Sequence, residues 1–304
     1  LILIAVFSFV RPASAVDLAV AILALGSITL VFGFALSWLG ARQVTDPLRS
    51  VIDAMAEIER GDPPGSVVVF DGSELGELQS GFNRMAEGLR ERERIRDLFG
   101  RQVGLEVAEA ALARNPELGG EERHVAVLFV DIVGSTALSA SLPPKDVVDL
   151  LNRFFDVVVS EVYRVGGIIN KFEGDAALAV FGAPVECDDP AGRALAAARA
   201  VCARLPGEVR DCAAAMGVAY GLVVAGNIGA RNRFEYTVIG DAVNEAARLC
   251  ELAKQYPGQL LASQRAVDSA DPEEARHWES GEEVTVRGRP EPTRLALPRS
   301  RRSE

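Results

Sequence analysis

The chain is poor in histidine, with only His124 and His277 among 304 residues, and its four cysteines include no pair at CxxC spacing. Cys187, Cys202, Cys212 and Cys250 therefore suggest neither a zinc site nor a disulfide framework and read as reduced, small apolar side chains. No GxxxxGK stretch followed by Ser or Thr occurs, which excludes a P-loop nucleotide site. Basic clusters are missing apart from the terminal RSRR, which reads as a solvated tail, and the net charge is -11. Phosphate contacts need clustered Lys and Arg, so nucleic acid is excluded as the main partner. Charge itself is missing from Leu18 to Ala41, LAVAILALGSITLVFGFALSWLGA.

What is present begins with that apolar run. As a helix rising about 1.5 Å per residue it is longer than the roughly 30 Å hydrocarbon layer, so a transmembrane helix is predicted. The chain opens on LILIAVFSFV, which reads as the tail of an earlier span, with RPASAVD as a short turn between the two. Arg42 and Arg49 mark the face beyond the run as cytoplasmic.

Asp46-Pro47 then reads as a cap and first-turn proline, with Leu48, Val51, Ile52, Met55 and Ile58 at helical spacing until GDPPG stops the helix. After the connector SVVVFDGS, Leu75, Leu78, Phe82, Met85 and Leu89 alternate at three and four residues, a narrow seam suited to a parallel bundle. This order resembles a HAMP domain, whose second helix opens on a glutamate, here Glu74; Ser73 stands where that family usually carries an acidic residue. A plain juxtamembrane coiled coil is the alternative, and either implies a dimer.

Beyond Asn115-Pro116 and Gly119-Gly120 the periodicities alternate. Strands are predicted at His124 to Asp131, Ile168 to Phe172, Ala176 to Phe181, Ala213 to Tyr220 and Phe234 to Ile239. Helices are predicted at Pro144 to Val165, Pro190 to Leu205 and Asp241 to Gln255, giving a sheet with helices on one side. Asp131 ends an apolar strand, and Asp175 lies at the tip of an apolar hairpin. If those strands are neighbours, two carboxylates meet with no basic residue adjacent in sequence to neutralise Asp131, an arrangement that calls for a divalent cation. Oxygen ligands without histidine favour magnesium or manganese over zinc.

FVDIVGST, NKFEGDAALAVFGAP and EYTVIGDAVNEAARLCELA together resemble the catalytic domain of class III adenylyl cyclases. That resemblance implies an α+β fold with a βαββαβ palm-like (ferredoxin-like) core, acting as a head-to-tail homodimer with its active sites at the interface. It implies the organisation 1–10 end of a transmembrane helix, 16–41 transmembrane helix, 42–93 HAMP, 94–120 linker helix, 121–298 catalytic domain and 299–304 basic tail. The expected activity is conversion of ATP to 3′,5′-cyclic AMP and pyrophosphate by a multi-pass plasma-membrane enzyme with its catalytic part in the cytoplasm. By the same resemblance Asp131 and Asp175, with the Ile132 carbonyl, hold two Mg2+ ions, which Mn2+ can replace. Asn244 orients the ribose and Arg248 stabilises the α-phosphoryl group, while Arg287 falls where a lysine contacts the terminal phosphates. Lys171 reads adenine for one site and Asp175 binds metal in the other; a cross-hairpin ion pair between the two is the alternative. Thr237 stands where the family usually has a base-reading aspartate, and its hydroxyl can accept from the adenine amino group. A guanylyl cyclase and a non-catalytic dimeric sensor are the competing readings. A histidine kinase is excluded because neither histidine lies on a dimerisation helix followed by an ATP lid, and FEGDA is a poor version of a diguanylate cyclase signature.

Overall fold

HVAVLFVDI forms the middle of the sheet because nearly every residue in it is apolar on both faces. The computed structural model describes residues 15–62, 65–69, 72–104, 118–210, 212–287, 289 and 291–299. The expected membrane-helix end over 1–10, the linker from 105 to 117 and the tail beyond Arg299 lie outside the described residues. The chain divides into two units, Leu1–Ile95 and Arg96–Glu304.

The first unit is built on α1 (Ala15–Glu59) and the start of α2 (Glu74–Val103). A new helix was expected at Asp46; instead α1 is one 45-residue helix with Pro47 inside it. Proline lacks the N–H that would reach back one turn, so the helix loses a single bond there. Side chains bond carbonyls around that gap: Thr45 Oγ1 donates to the Ala41 carbonyl at 2.8 Å and Ser50 Oγ to the Pro47 carbonyl at 2.7 Å. The apolar half of α1 is exposed and is long and apolar enough to cross a membrane, the one such helix among the described residues. Val51, Ala54, Val67, Phe82 and Ala86 form a small core with Ile58 against it. Asn83 pins the connector to α2, with the Val67 N–H donating to Asn83 Oδ1 at 2.9 Å and Asn83 Nδ2 donating to the Val67 carbonyl at 2.8 Å. Leu48, Ile52, Met55, Leu78, Met85 and Leu89 stay exposed.

The second unit holds β1 (Gly119–Ile132), α3 (Ser135–Ser141), α4 (Pro144–Arg164), β2 (Ile168–Glu173), β3 (Ala176–Phe181) and α5 (Pro190–Glu208). There follow β4 (Ala214–Ala230), β5 (Arg233–Ile239), α6 (Asp241–Ala253), β6 (Leu260–Ser263), α7 (Gln264–Asp268), α8 (Pro272–Ala275), β7 (Trp278–Val284) and β8 (Thr293–Pro298). The strands lie in the order β2-β3-β1-β4-β6-β8-β7, with β5 pairing β4. The first four strands, antiparallel throughout with α4 and α5 as crossovers, are the expected βαββαβ core.

Alternate residues of β1 enter different cores. Ala126, Leu128, Val130 and Ile132 pack with Phe154, Val157 and Val158 of α4 and Leu195 and Val201 of α5. Val125 and Val127 pack instead with Val238 of β5 and Ala242 and Ala246 of α6. Helices on one side only were expected; α6 covers the opposite face. The reason is visible in β1 itself, whose two-sided apolar run needs cover on both faces.

Candidate active site

Asp131 is the last residue but one of β1 and lies in register with Ala176, the first residue of β3. Asp175 directly precedes Ala176, at the second position of a two-residue turn that Gly174 opens at φ +68°, a conformation suited to glycine. The register therefore brings the two carboxylates side by side, close enough that each shifts the other's pKa. Ser135, at the start of α3, lines the same cleft as Asp175. Lys254, just past α6, places its Nζ 2.5 Å from Asp131 Oδ2.

Burial raises the Asp131 pKa, and the neighbouring Asp175 raises it further against the pull of the Lys254 ammonium. Burial also pushes Asp175 up, but its bonds with Ser135 and Asp131 outweigh that and hold it below the usual carboxylate value. Two carboxylates this close ionise together only when a cation compensates them. Lys254 supplies one such charge, and nothing in the sequence pairs it with Asp131, 123 residues away.

Among the described residues no group of three or more His, Cys, Asp or Glu could hold a metal ion. Two carboxylates fit magnesium nonetheless, since this ion usually takes one or two protein carboxylates and completes its shell with water and substrate phosphates. The Ile132 side chain is buried in the core, so that residue has only its backbone to offer. Beside Asp175 a cleft of about 330 Å³ opens between α3, α4 and the β2–β3 turn, lined by Ile132, Ser135, Thr136, Gly174 and Asp175 among others.

The other expected residues form two further groups. Asn244 and Arg248 are exposed one turn apart on α6, with Arg248 Nη1 3.0 Å from Glu251 Oε2. Lys171 of β2 and Thr237 of β5 come together: Lys171 Nζ is 2.9 Å from Glu235 Oε1, and Thr237 Oγ1 is 3.2 Å from Asn170 Oδ1. The cross-hairpin pair of Lys171 with Asp175 is not formed, because Glu235 takes the lysine. Arg287 is exposed on the turn between β7 and β8. Among the described residues no hydrogen bond or ion pair joins the Asp131 and Asp175 group to either of the other two.

Sequence reasoning also missed Arg289. Its guanidinium reaches Asp241 at 2.8 Å and 2.5 Å, and it bonds the buried Glu245 and Thr293, tying the first turn of α6 to β8. The signal was a glutamate on the apolar face of an amphipathic helix, a position that needs a buried partner.

An α+β sheet of this topology is the fold of the class III nucleotidyl cyclases. The family model described as adenylate and guanylate cyclase catalytic domain matches residues 120–297, and the HAMP domain model matches 39–91. The chain belongs to this cyclase family. Uncharacterized proteins of Mycobacterium bovis and Mycobacterium tuberculosis are each 59% identical to it over 280 residues, 92% of this chain and 52% of theirs. The chain spans about half the length of these relatives. Among solved structures, the adenylyl cyclase CyaB from P. aeruginosa is 26% identical at a TM-score of 0.55, covering 61% of this chain and 98% of that one. A bacterial light-regulated adenylyl cyclase shares the fold at 23% identity and a TM-score of 0.52, covering 59% and 91%.

Proposed function

We propose that the chain is an adenylyl cyclase that converts ATP to 3′,5′-cyclic AMP and pyrophosphate at sites shared across a homodimer. The observation that carries this reading is the contact between the Asp131 and Asp175 carboxylates, a half-buried oxygen-only pair that needs cationic compensation. Asp131, Asp175 and the Ile132 carbonyl would hold two Mg2+ ions, with Mn2+ able to substitute. Bound there, such ions supply Lewis acidity toward the ribose 3′-hydroxyl and the triphosphate. The 3′ oxygen attacks the α-phosphorus and gives its proton to solvent water, while the bond to the departing pyrophosphate breaks. Asn244 orients the ribose, and the Arg248 guanidinium stabilises charge on the α-phosphoryl oxygens. Arg287 is assigned to the terminal phosphates.

ATP is favoured over GTP by the chemistry of Lys171 and Thr237. An ammonium can donate to adenine N1, which is an acceptor, but meets a donor at guanine N1. Sharing between subunits is supported by the exposed position of Asn244 and Arg248, which make no hydrogen bond or ion pair with the acidic pair among the described residues, and by the exposed apolar seam of Ile52, Met55, Leu78 and Met85. Domain limits of 42–93 for HAMP and 121–298 for the catalytic part follow from the same reading. An earlier span over 1–10 would make the protein multi-pass. A stimulus moving the membrane helices would then rotate the catalytic domains through the HAMP unit, and a split site responds to small rotations.

The test uses membranes supplied with Mn2+ and either ATP or GTP. Asp175→Ala and Asn244→Ala should each abolish cyclic AMP formation. Co-expressed in equal amounts they should restore about a quarter of wild-type activity, since random pairing makes half the dimers mixed and each mixed dimer keeps one intact site. Cyclic GMP as the main product overturns the ATP assignment, and no recovery on mixing overturns the shared site.

A further inference from the structure

Two neighbouring side chains of β2 reach the same strand. Asn170 Nδ2 donates to the Tyr236 carbonyl of β5 at 3.0 Å, and Lys171 Nζ meets Glu235 Oε1 of β5 at 2.9 Å. Successive residues of a regular strand point to opposite faces. Here the pairing of β2 with β3 slips between Ile169 and Lys171: Ile169 faces Ala179, Lys171 faces Leu178, and Asn170 is left outside the register. Such a bulge re-aims a side chain, and the one it re-aims is Asn170.

The orientation of the Asn170 amide follows from its partners. The Tyr236 carbonyl only accepts, so the Asn170 nitrogen must face it, and the Asn170 oxygen then faces Thr237 Oγ1 at 3.2 Å. An amide oxygen also only accepts. Thr237 must therefore give its single hydroxyl hydrogen to Asn170, and what its oxygen has left is accepting capacity alone. Thr237 is 6% exposed, so the hydroxyl has little alternative solvent to turn toward.

We propose that Asn170 is a positioning residue that sets nucleotide preference by holding the Thr237 hydroxyl as an acceptor. The inference rests on the cyclase reading above, with Lys171 and Thr237 at the purine. The amino group at adenine C6 donates and suits such an oxygen; guanine carries a carbonyl at C6, which accepts and opposes it. A threonine free to rotate would serve both purines, donating to one and accepting from the other. Asn170 removes that freedom.

The experiment compares kcat/KM for ATP and GTP, together with binding of 3′-deoxy-ATP and 3′-deoxy-GTP, which lack the attacking hydroxyl and report preference without turnover. Asn170→Ala should lower the ATP:GTP ratio by about tenfold, the scale of one directed hydrogen bond. Asn170→Asp keeps an accepting oxygen beside Thr237 and should stay within about threefold of wild type. In a Thr237→Val background, Asn170→Ala should have no further effect on the ratio. A merely structural role for Asn170 would weaken both nucleotides alike and leave the ratio unmoved; that result, or an undiminished Asn170→Ala effect without the Thr237 hydroxyl, overturns the inference. If neither cyclic product forms, the cyclase reading fails, while the ratio of the two deoxynucleotide affinities still decides the role of Asn170.

Discussion

Lys254 Nζ lies 2.5 Å from Asp131 Oδ2, so an ammonium sits on one of the two carboxylates assigned to the metal ions. A divalent cation entering there must displace it. Lys254→Met removes the competitor and should tighten Mn2+ binding to the nucleotide-free protein by roughly fivefold, in keeping with about 1 kcal/mol for a part-exposed pair. Titration followed by the Mn2+ paramagnetic resonance signal measures this. In EDTA the same variant should melt earlier than wild type, because Asp131 and Asp175 then face each other with no cation between them. Weaker Mn2+ binding would instead make Lys254 a support for the bound state.

The central strand, the hairpin and the three main helices were legible in the sequence because each has a clear period or a clear stop. The second half of β4 was not. The predicted strand ended at Tyr220, where Gly221, Gly226 and Gly229 follow, yet β4 runs on to Ala230. At Gly226 a Cβ would stand 2.1 Å from the Gly119 carbonyl oxygen, so a glycine that looks like a breaker is what lets β1 and β4 approach there. Of the candidate site, the acidic pair and the Asn/Arg helix could be read from three motifs. Lys254, Asn170, Glu235 and Arg289 could not, since each acquires its role from a partner brought near only by the sheet.

Arg289 makes the case for stability. Its guanidinium is 7% exposed and faces Glu245, itself 6% exposed, beneath the helix that carries Asn244 and Arg248. Arg289→Met leaves a buried carboxylate without its partner and should cost about 3–5 kcal/mol in denaturant unfolding. Adding Glu245→Leu should recover most of that loss, because an apolar pair of similar volume replaces a buried ion pair with little penalty. No recovery in the double variant would point to Asp241 as the partner that matters.

Glu161 makes a pH prediction. It accepts from Arg164 Nε at 2.8 Å and from Arg204 Nη1 at 3.0 Å, joining α4 to α5. Burial alone would raise its pKa, but the two guanidiniums outweigh burial and hold it below the usual glutamate value. The unfolded chain thus takes up this proton first, and the ion pairs stabilise fully above the ordinary glutamate range. Their contribution disappears as pH falls through the lowered folded value. The melting temperatures of wild type and Glu161→Gln should therefore differ most near neutrality and converge only as the pH falls below the lowered folded value. A gap that persists in acid would mean that shape, not charge, sets the role of this side chain.

Asn83 tests the membrane-proximal unit independently of catalysis. Its amide satisfies both backbone groups of Val67, whose side chain sits in the small core with Val51 and Phe82. A connector has few other ways to hold its backbone in place, because it belongs to neither helix. Asn83→Leu removes both bonds while preserving bulk and helix propensity, so α2 should persist. The connector amides from 65 to 69 should then exchange with solvent about five times faster, the scale of losing a hydrogen bond worth about 1 kcal/mol. Exchange within α2 should change little. Equal acceleration along α2 would show that Asn83 holds the helix rather than the connector, and the two effects are separable by peptide-resolved mass spectrometry of the solubilised chain.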